Sequence, residues 1–136
     1  YQRFFIDENG PVPTPDGLEM TKNGWEYYPQ SLGKAAAKTW ELGEHTPLVV
    51  TENGLATDDD RQRIRYTTSA LQALHEVMEG GADVRGYIHW SLLDNYEWGS
   101  YDPTFGLIAV NRTTFERQPK PSLNWLGSIQ REGLTI

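Results

Sequence analysis

Residues 47–54 read Pro47-Leu48-Val49-Val50-Thr51-Glu52-Asn53-Gly54: an unbroken apolar run that ends on one carboxylate and is cut off at once by an Asn-Gly turn. A short apolar run with paired valines, bounded by proline and glycine, suits a parallel strand covered on both faces. Such strands belong to folds in which helices pack over a parallel sheet. In a (β/α) barrel the carboxyl ends of the strands carry the catalytic side chains, so Glu52 is a candidate nucleophile or general acid/base. The same placement also suits a strand-end Glu that only faces solvent.

The flanking sequence extends the pattern. Residues 31–42, with Ala35-Ala36-Ala37, predict a helix closed by Gly43. After the Glu52 strand, Asp58-Asp59-Asp60 form an acidic helix start, read as a solvated one, and no ligand spacing that would make it a calcium site follows. Ile64, Thr68, Leu71, Leu74 and Met78 recur at helical spacing, and Gly80-Gly81 stops the helix. Residues 84–93 predict a second strand, completing a right-handed β-α-β crossover. Residues 6–33, broken by Pro11, Pro13, Pro15 and Pro29 and by four glycines, predict a long loop. An aromatic and acidic loop is expected over 94–105, a hairpin over 106–118 and a last helix over 119–131 with Pro121 near its first turn. Two or three parallel strands cannot bury both faces of their own sheet, and a closed (β/α)8 barrel takes roughly 250 residues. The chain has 136. The expected fold class is therefore α/β, as an incomplete (β/α)8 TIM barrel.

Charge narrows the partners. Twelve Lys and Arg face 19 Asp and Glu, a net charge of −7 without a basic cluster. Nucleic acid and acidic membrane surfaces are not expected ligands, and a neutral substrate fits better. The chain carries 5 Trp and 7 Tyr, whose flat apolar faces can stack on sugar rings as well as pack a core. With no cysteine there is no disulfide or thiolate metal site, which favours a reducing, cytoplasmic setting. No apolar stretch reaches the length of a membrane span, and residues 1–5 do not read as a signal peptide. No metal or cofactor is expected.

Several motifs in order carry a resemblance. Thr51-Glu52-Asn53-Gly54, Asp83-Val84-Arg85-Gly86-Tyr87, Trp90-Ser91-Leu92-Leu93-Asp94-Asn95-Tyr96-Glu97-Trp98 and Phe105-Gly106-Leu107 resemble the C-terminal part of glycoside hydrolase family 1, the β-glucosidase family. Gly24-Trp25-Glu26 with Pro29, and Pro119-Lys120-Pro121-Ser122 with Trp125, extend the likeness to nearly the whole chain.

The resemblance implies that the chain is the C-terminal segment of one (β/α)8 catalytic domain, holding barrel strands 7 and 8. It implies that Glu52 is the nucleophile and that Glu97 accepts hydrogen bonds from two sugar hydroxyls. Trp90 would form an apolar platform under the ring, Trp98 would donate its indole N–H, and Phe105 would close the wall near the hydroxymethyl group, although packing suits Trp90 and Phe105 too. Tyr1 would match a tyrosine that hydrogen-bonds the nucleophile. A cis peptide is implied at Trp90-Ser91. The family's acid/base lies in an Asn-Glu-Pro motif, which this sequence does not contain. A retaining glycosidase needs two carboxyl groups about 5–5.5 Å apart, so the N-terminal part of the same barrel, as a second polypeptide, is an expected partner. Without it the chain is expected to be inactive.

The implied substrate is a β-glucoside or short β-linked oligosaccharide, with galactosides or fucosides as side activities. A phosphorylated sugar is disfavoured because Glu97 would repel it. Residues 99–104 are shorter than the form many family members carry, a departure at the pocket rim. His89, inside an apolar strand, is read as a satisfied core histidine, His45 and His75 as surface or helix-packing residues, and Asp94 and Asn95 as loop organisers. A non-catalytic sugar-binding module and a purely structural fragment remain the alternatives.

Overall fold

The computed structural model describes the backbone of residues 5–132 and the side chains of residues 5–129, so Tyr1 lies outside the described residues. The elements run β1 (Phe5–Asp7), β2 (Gly10–Val12), α1 (Ser31–Leu42), β3 (Leu48–Asn53), α2 (Asp60–Glu79), β4 (Val84–His89), β5 (Ile108–Val110), β6 (Arg117–Pro119) and α3 (Pro121–Glu132).

The β3-α2-β4 crossover is the centre. β3 and β4 pair in parallel, with Leu48 opposite Val84, Val50 opposite Tyr87 and Asn53 opposite His89. The second strand is shorter than expected. It ends at His89, the Trp90–Ser91 peptide is cis as the resemblance implies, and the chain turns so that Leu93 bridges Ile108.

α1 has the expected bounds, and its end is tied by the Gly43 N–H donating to the Thr39 carbonyl at 2.8 Å. α2 starts on Asp59, whose carboxylate accepts from the Arg61 N–H at 2.9 Å and so satisfies one donor of the first turn. The acidic start is only partly solvated. Asp58 is exposed and pairs with Lys22 at 2.6 Å, whereas the Asp60 side chain, 18% exposed, turns inward to accept from Arg63 and from both the N–H and hydroxyl of Ser122.

The buried stripe of α2 is also rotated from the expected one. Arg63, Tyr66, Thr67, Ala70 and Leu74 are buried, Ile64, Thr68 and Leu71 are half-buried, and Met78 is 42% exposed. Small and hydrogen-bonded side chains occupy the innermost positions because α1 and the loops around Arg63 approach there.

The core joins Leu32 and Ala36 of α1, Val50 and Leu55 around β3, and Tyr66, Ala70 and Leu74 of α2. Each large apolar side chain buried this way contributes about 1.5–3 kcal/mol. All of it lies on the helix side of β3 and β4. On the other face Val49 is 55% and Ile88 56% exposed, so among the described residues the apolar run of β3 is covered on one face, not both.

The expected long loop contains one regular piece, the antiparallel β1–β2 pair, in which Phe5 faces Val12. The rest is fastened locally and to the site. The Thr21 N–H donates to the Trp25 carbonyl at 2.7 Å, and the Lys22 N–H to the Ala56 carbonyl at 3.0 Å. The hairpin expected over 106–118 forms as β5–β6, with the Asn111 carboxamide oxygen accepting from the Thr113 and Thr114 N–H groups in its turn. α3 begins at Pro121, whose missing N–H is tolerated in a first turn.

Candidate active site

The ends of β3 and β4 stand side by side and hold the site. Asn53, 4% exposed, accepts from the Tyr87 hydroxyl at 3.0 Å, and its carbonyl accepts from the Trp90 N–H at 2.9 Å. Glycine is required next. A Cβ on Gly54 would lie 1.9 Å from the Trp90 carbonyl oxygen, so any side chain there would force the two strand ends apart.

That close approach brings Glu52 and Trp90 to one cleft of about 380 Å³. Glu97, Trp98 and Phe105 line it as well, so each sequence-chosen site residue within the described residues faces the same space. Glu52 is exposed. Glu97 is only 6% exposed and its Oε1 accepts from the Trp90 indole N–H at 3.0 Å. The carboxylate therefore sits in a fixed orientation beside the indole ring, and Trp90, 38% exposed, offers a hydrogen-bond donor as well as an apolar face.

Trp98 is placed by a turn. Glu97 and Ser100 exchange backbone hydrogen bonds at 2.7 and 3.1 Å, while Trp98 and Gly99 between them take φ values of 51° and 97°. Two successive positive φ angles make a tight hairpin turn for which glycine is suited at one position. The turn throws Trp98 outward, 90% exposed, onto the border with a second cleft of about 650 Å³ that runs over Lys22, Asn23 and Asp102. Phe105, 6% exposed, serves wall and core at once.

Beneath the cleft lies a polar knot. Asp94 accepts from the Gly106 N–H at 2.7 Å and from Lys120 at 2.9 Å, and its carbonyl accepts from Arg112. The Asn95 amide donates to Ser91 Oγ at 3.3 Å and to the Leu93 carbonyl at 3.2 Å, so both residues organise the loop as expected. Burial works to raise the Asp60 pKa, but hydrogen bonds from Ser122 and Arg63 outweigh it and hold the carboxyl below its usual range. Burial pushes the Lys120 ammonium down, opposed chiefly by Asp94.

His89 departs from the expectation of a satisfied core residue. Both ring nitrogens are buried and, among the described residues, neither makes a well-formed hydrogen bond, the Phe105 backbone offering only a weak one. Burial, and then the Arg63 charge, push its pKa down to about 4, against smaller opposing contributions from the Phe105 backbone and Asp60. His45 stacks at 4.9 Å from Trp40, and His75 lies 3.6 Å from Glu79, both on the surface side as expected.

Thr21, Trp25, Glu26, Asn53 and Tyr66 line the cleft too and were not among the sequence candidates. Glu26 is 8% exposed, and the Tyr66 phenol is pushed up by burial, with hydrogen bonds to Asn53 and Ser31 acting the other way. Glu26 falls in the Gly24-Trp25-Glu26 motif but was not singled out as a site residue, and Tyr66 lies beside the expected Ile64, Thr68 and Leu71 row with no motif to mark it. Among the described residues no group of three or more His, Asp or Glu could hold a metal ion, and no helix is long and apolar enough to cross a membrane.

Comparison with known proteins places the chain. It is 44% identical over 107 residues to a β-galactosidase of Saccharolobus solfataricus, covering 78% of this chain and 22% of that protein. It is 38% identical over 125 residues to a bifunctional β-D-glucosidase/β-D-fucosidase of Bifidobacterium breve, covering 82% of this chain and 27% of that one. The chain thus spans about a quarter of the length of these curated relatives. Among solved structures, an apo β-glucosidase superposes with a TM-score of 0.86 at 45% identity, covering 94% of this chain and 32% of the other. The family 1 β-glucosidase of Thermotoga maritima bound to isofagomine lactam superposes with a TM-score of 0.86 at 29% identity, covering 95% and 32%. The α/β architecture is that of part of a (β/α)8 barrel, here two neighbouring parallel staves with their helices and loops. The sequence model of glycosyl hydrolase family 1 matches residues 8–133, and the chain belongs to that family.

Proposed function

We propose that this chain forms the nucleophile-bearing part of a retaining β-glycosidase that hydrolyses terminal, unphosphorylated β-D-glucosyl residues. The observation that supports it most is the convergence of Glu52, Trp90, Glu97, Trp98 and Phe105 on one cleft. In this reading an ionised Glu52 oxygen attacks the anomeric carbon, a glycosyl ester forms, and the leaving oxygen takes a proton from a carboxylic acid. Water then attacks the anomeric carbon, the bond from that carbon to Glu52 breaks to restore the Glu52 carboxylate, and the second group, now a carboxylate, takes up the water's proton.

The acid/base belongs to another part of the barrel, since no Asn-Glu-Pro segment occurs here. The exposed face carrying Val49 and Ile88 is where those remaining staves would pack, and the site is active only when they do. Glu97 has one oxygen engaged by Trp90, and its remaining acceptor capacity serves sugar hydroxyls. A phosphate on the sugar would meet this carboxylate and be repelled. The relatives' names include galactosidase and fucosidase, so side activity on those sugars fits the same pocket.

The test is turnover of an aryl β-glucoside by the complete barrel, reconstituted if necessary from this chain and an N-terminal complement. Glu52→Gln abolishes turnover while sugar binding persists. Absence of turnover at every mixing ratio contradicts the proposal and leaves a non-catalytic sugar-binding module, which would use the same Trp90 and Glu97 surface.

A further inference from the structure

Arg63 is the most completely engaged side chain around the site. It is 1% exposed. Its Nε donates to Asp60 at 3.0 Å, Nη1 to the carbonyls of Leu55 and Phe105, both at 3.0 Å, and Nη2 to those of Thr57 and Thr104 at 2.9 and 3.0 Å. All five donors of the guanidinium are used. A buried cation is tolerated only with such partners, and here one carboxylate and four carbonyl dipoles supply them.

The geometry of those acceptors matters more than their number. Leu55 and Thr57 follow directly on the strand end that carries Glu52, and Thr104 and Phe105 close the loop that carries Glu97 and Trp98. Each terminal nitrogen of the planar fork takes one acceptor from each segment, so the fork fixes their separation. The Thr104 hydroxyl reinforces the same bridge by donating to the Thr57 carbonyl at 2.9 Å, and the Thr57 N–H donates to the Thr104 carbonyl at 3.2 Å. Lysine could not substitute: its three donors radiate from one point and cannot serve four carbonyls on two segments.

We infer that Arg63 is a positioning residue of the glycosidase site, setting the distance between the Glu52 strand end and the loop that holds the sugar. The inference rests on the proposed β-glucoside reading of the cleft. A sugar still bound by Glu97, Trp98 and Phe105 would present its anomeric carbon to a displaced Glu52 once the fork is lost, so turnover suffers more than binding.

The experiment uses the complete barrel that carries this segment, assayed with an aryl β-glucoside well below each variant's melting temperature. Arg63→Lys is expected to lower kcat per folded molecule roughly 100-fold, the scale of a misplacement of about 1 Å, with KM little changed. Thr104→Val, which removes the hydroxyl bridge to Thr57 together with a 3.2 Å contact to the exposed Asp58 but leaves the Arg63 fork intact, lowers kcat several-fold in the same sense. Leu74→Ala, in the core of the same helix, lowers the melting temperature but leaves kcat per folded molecule unchanged, which separates positioning from stability. Wild-type kcat in both bridge variants overturns the inference and leaves the β-glucoside reading standing. Should Arg63→Lys fail to fold, Thr104→Val decides alone. An unaltered barrel that does not turn over aryl β-glucosides overturns the underlying reading, and the inference with it.

Discussion

The two faces of the β3–β4 pair differ sharply although they belong to the same few residues. Toward the helices, Val50 is 5% exposed and packs with Leu32, Ala70 and Leu74. Toward the other side, Val49 and Ile88 stand more than half exposed. The helix face is a finished core, whereas the opposite face is apolar surface of the kind that the interior layers of a (β/α)8 barrel bury. Glu52, the proposed nucleophile, lines the cleft at the end of β3, outside the core cluster. In the proposed reading stability and chemistry are separated in this segment, and substitutions should be able to damage either one alone.

The largest effect is expected on the chemical side. Glu52→Gln in the complete barrel should lower kcat by on the order of 10⁴-fold or more, since removing a covalent nucleophile costs at least that much in comparable systems. Because Glu52 is exposed and outside the core cluster of this segment, the same change should hardly move the stability of the 136-residue chain itself. Equal loss of stability would break the separation. On the helix face the expectation reverses. Leu32→Ala removes a side chain with 0% exposure and should cost about 2–5 kcal/mol in denaturant unfolding, without changing kcat per folded molecule.

The residues just quoted also show what could be read in advance. The Ser31–Leu42 helix was legible because Ala35 to Ala37 and Gly43 carry local propensity, and β3 because its apolar run has punctuation on both sides. The gathering of Glu52, Trp90, Glu97, Trp98 and Phe105 around one cleft was legible because they fall inside long motifs with family spacing. The Arg63 bridge was not. Four of its five partners are backbone carbonyls, which any residue supplies, so no acceptor pattern exists in the sequence. A signal did exist in the helix. Arg63 leads the stripe through Tyr66, Thr67, Ala70 and Leu74, but a stripe of small and polar residues is outscored by the Ile64 and Leu71 row beside it. The β1–β2 pair escaped for a different reason, because two three-residue strands with Ile6 70% exposed carry no hydrophobic alternation to detect.

A pH effect of intermediate size sharpens the comparison. His89 belongs to β4 and is neutral in the fold, its pKa pushed down to about 4 from 6.5 by burial first. The unfolded chain binds a proton more readily in that interval, so the associated stability is fully present above pH 6.5 and is lost as pH falls from 6.5 towards 4. A difference of this size corresponds to about 3 kcal/mol. His89→Leu should flatten the unfolding free energy across that window. Asp60, whose folded pKa is lowered, acts at more acid pH: its contribution is present above its unfolded value and is lost as pH falls through the folded one, so it should persist in the His89 variant.

The smallest effect is expected at the open face. Val49→Thr should change the stability of the 136-residue chain by no more than about 0.5 kcal/mol, as for an ordinary surface substitution. In the complete barrel the same change should cost about 1–3 kcal/mol, because the hydroxyl would then be buried. Equal values in the two settings would mean that this face is never covered.

The role of Glu52 is tested most directly by trapping. A slow-reacting deoxyfluoro glucoside with a good leaving group, added to the complete barrel, should attach one sugar covalently, and peptide mapping should place it on Glu52. A label on another residue, or no label under conditions of full substrate turnover, would contradict the account.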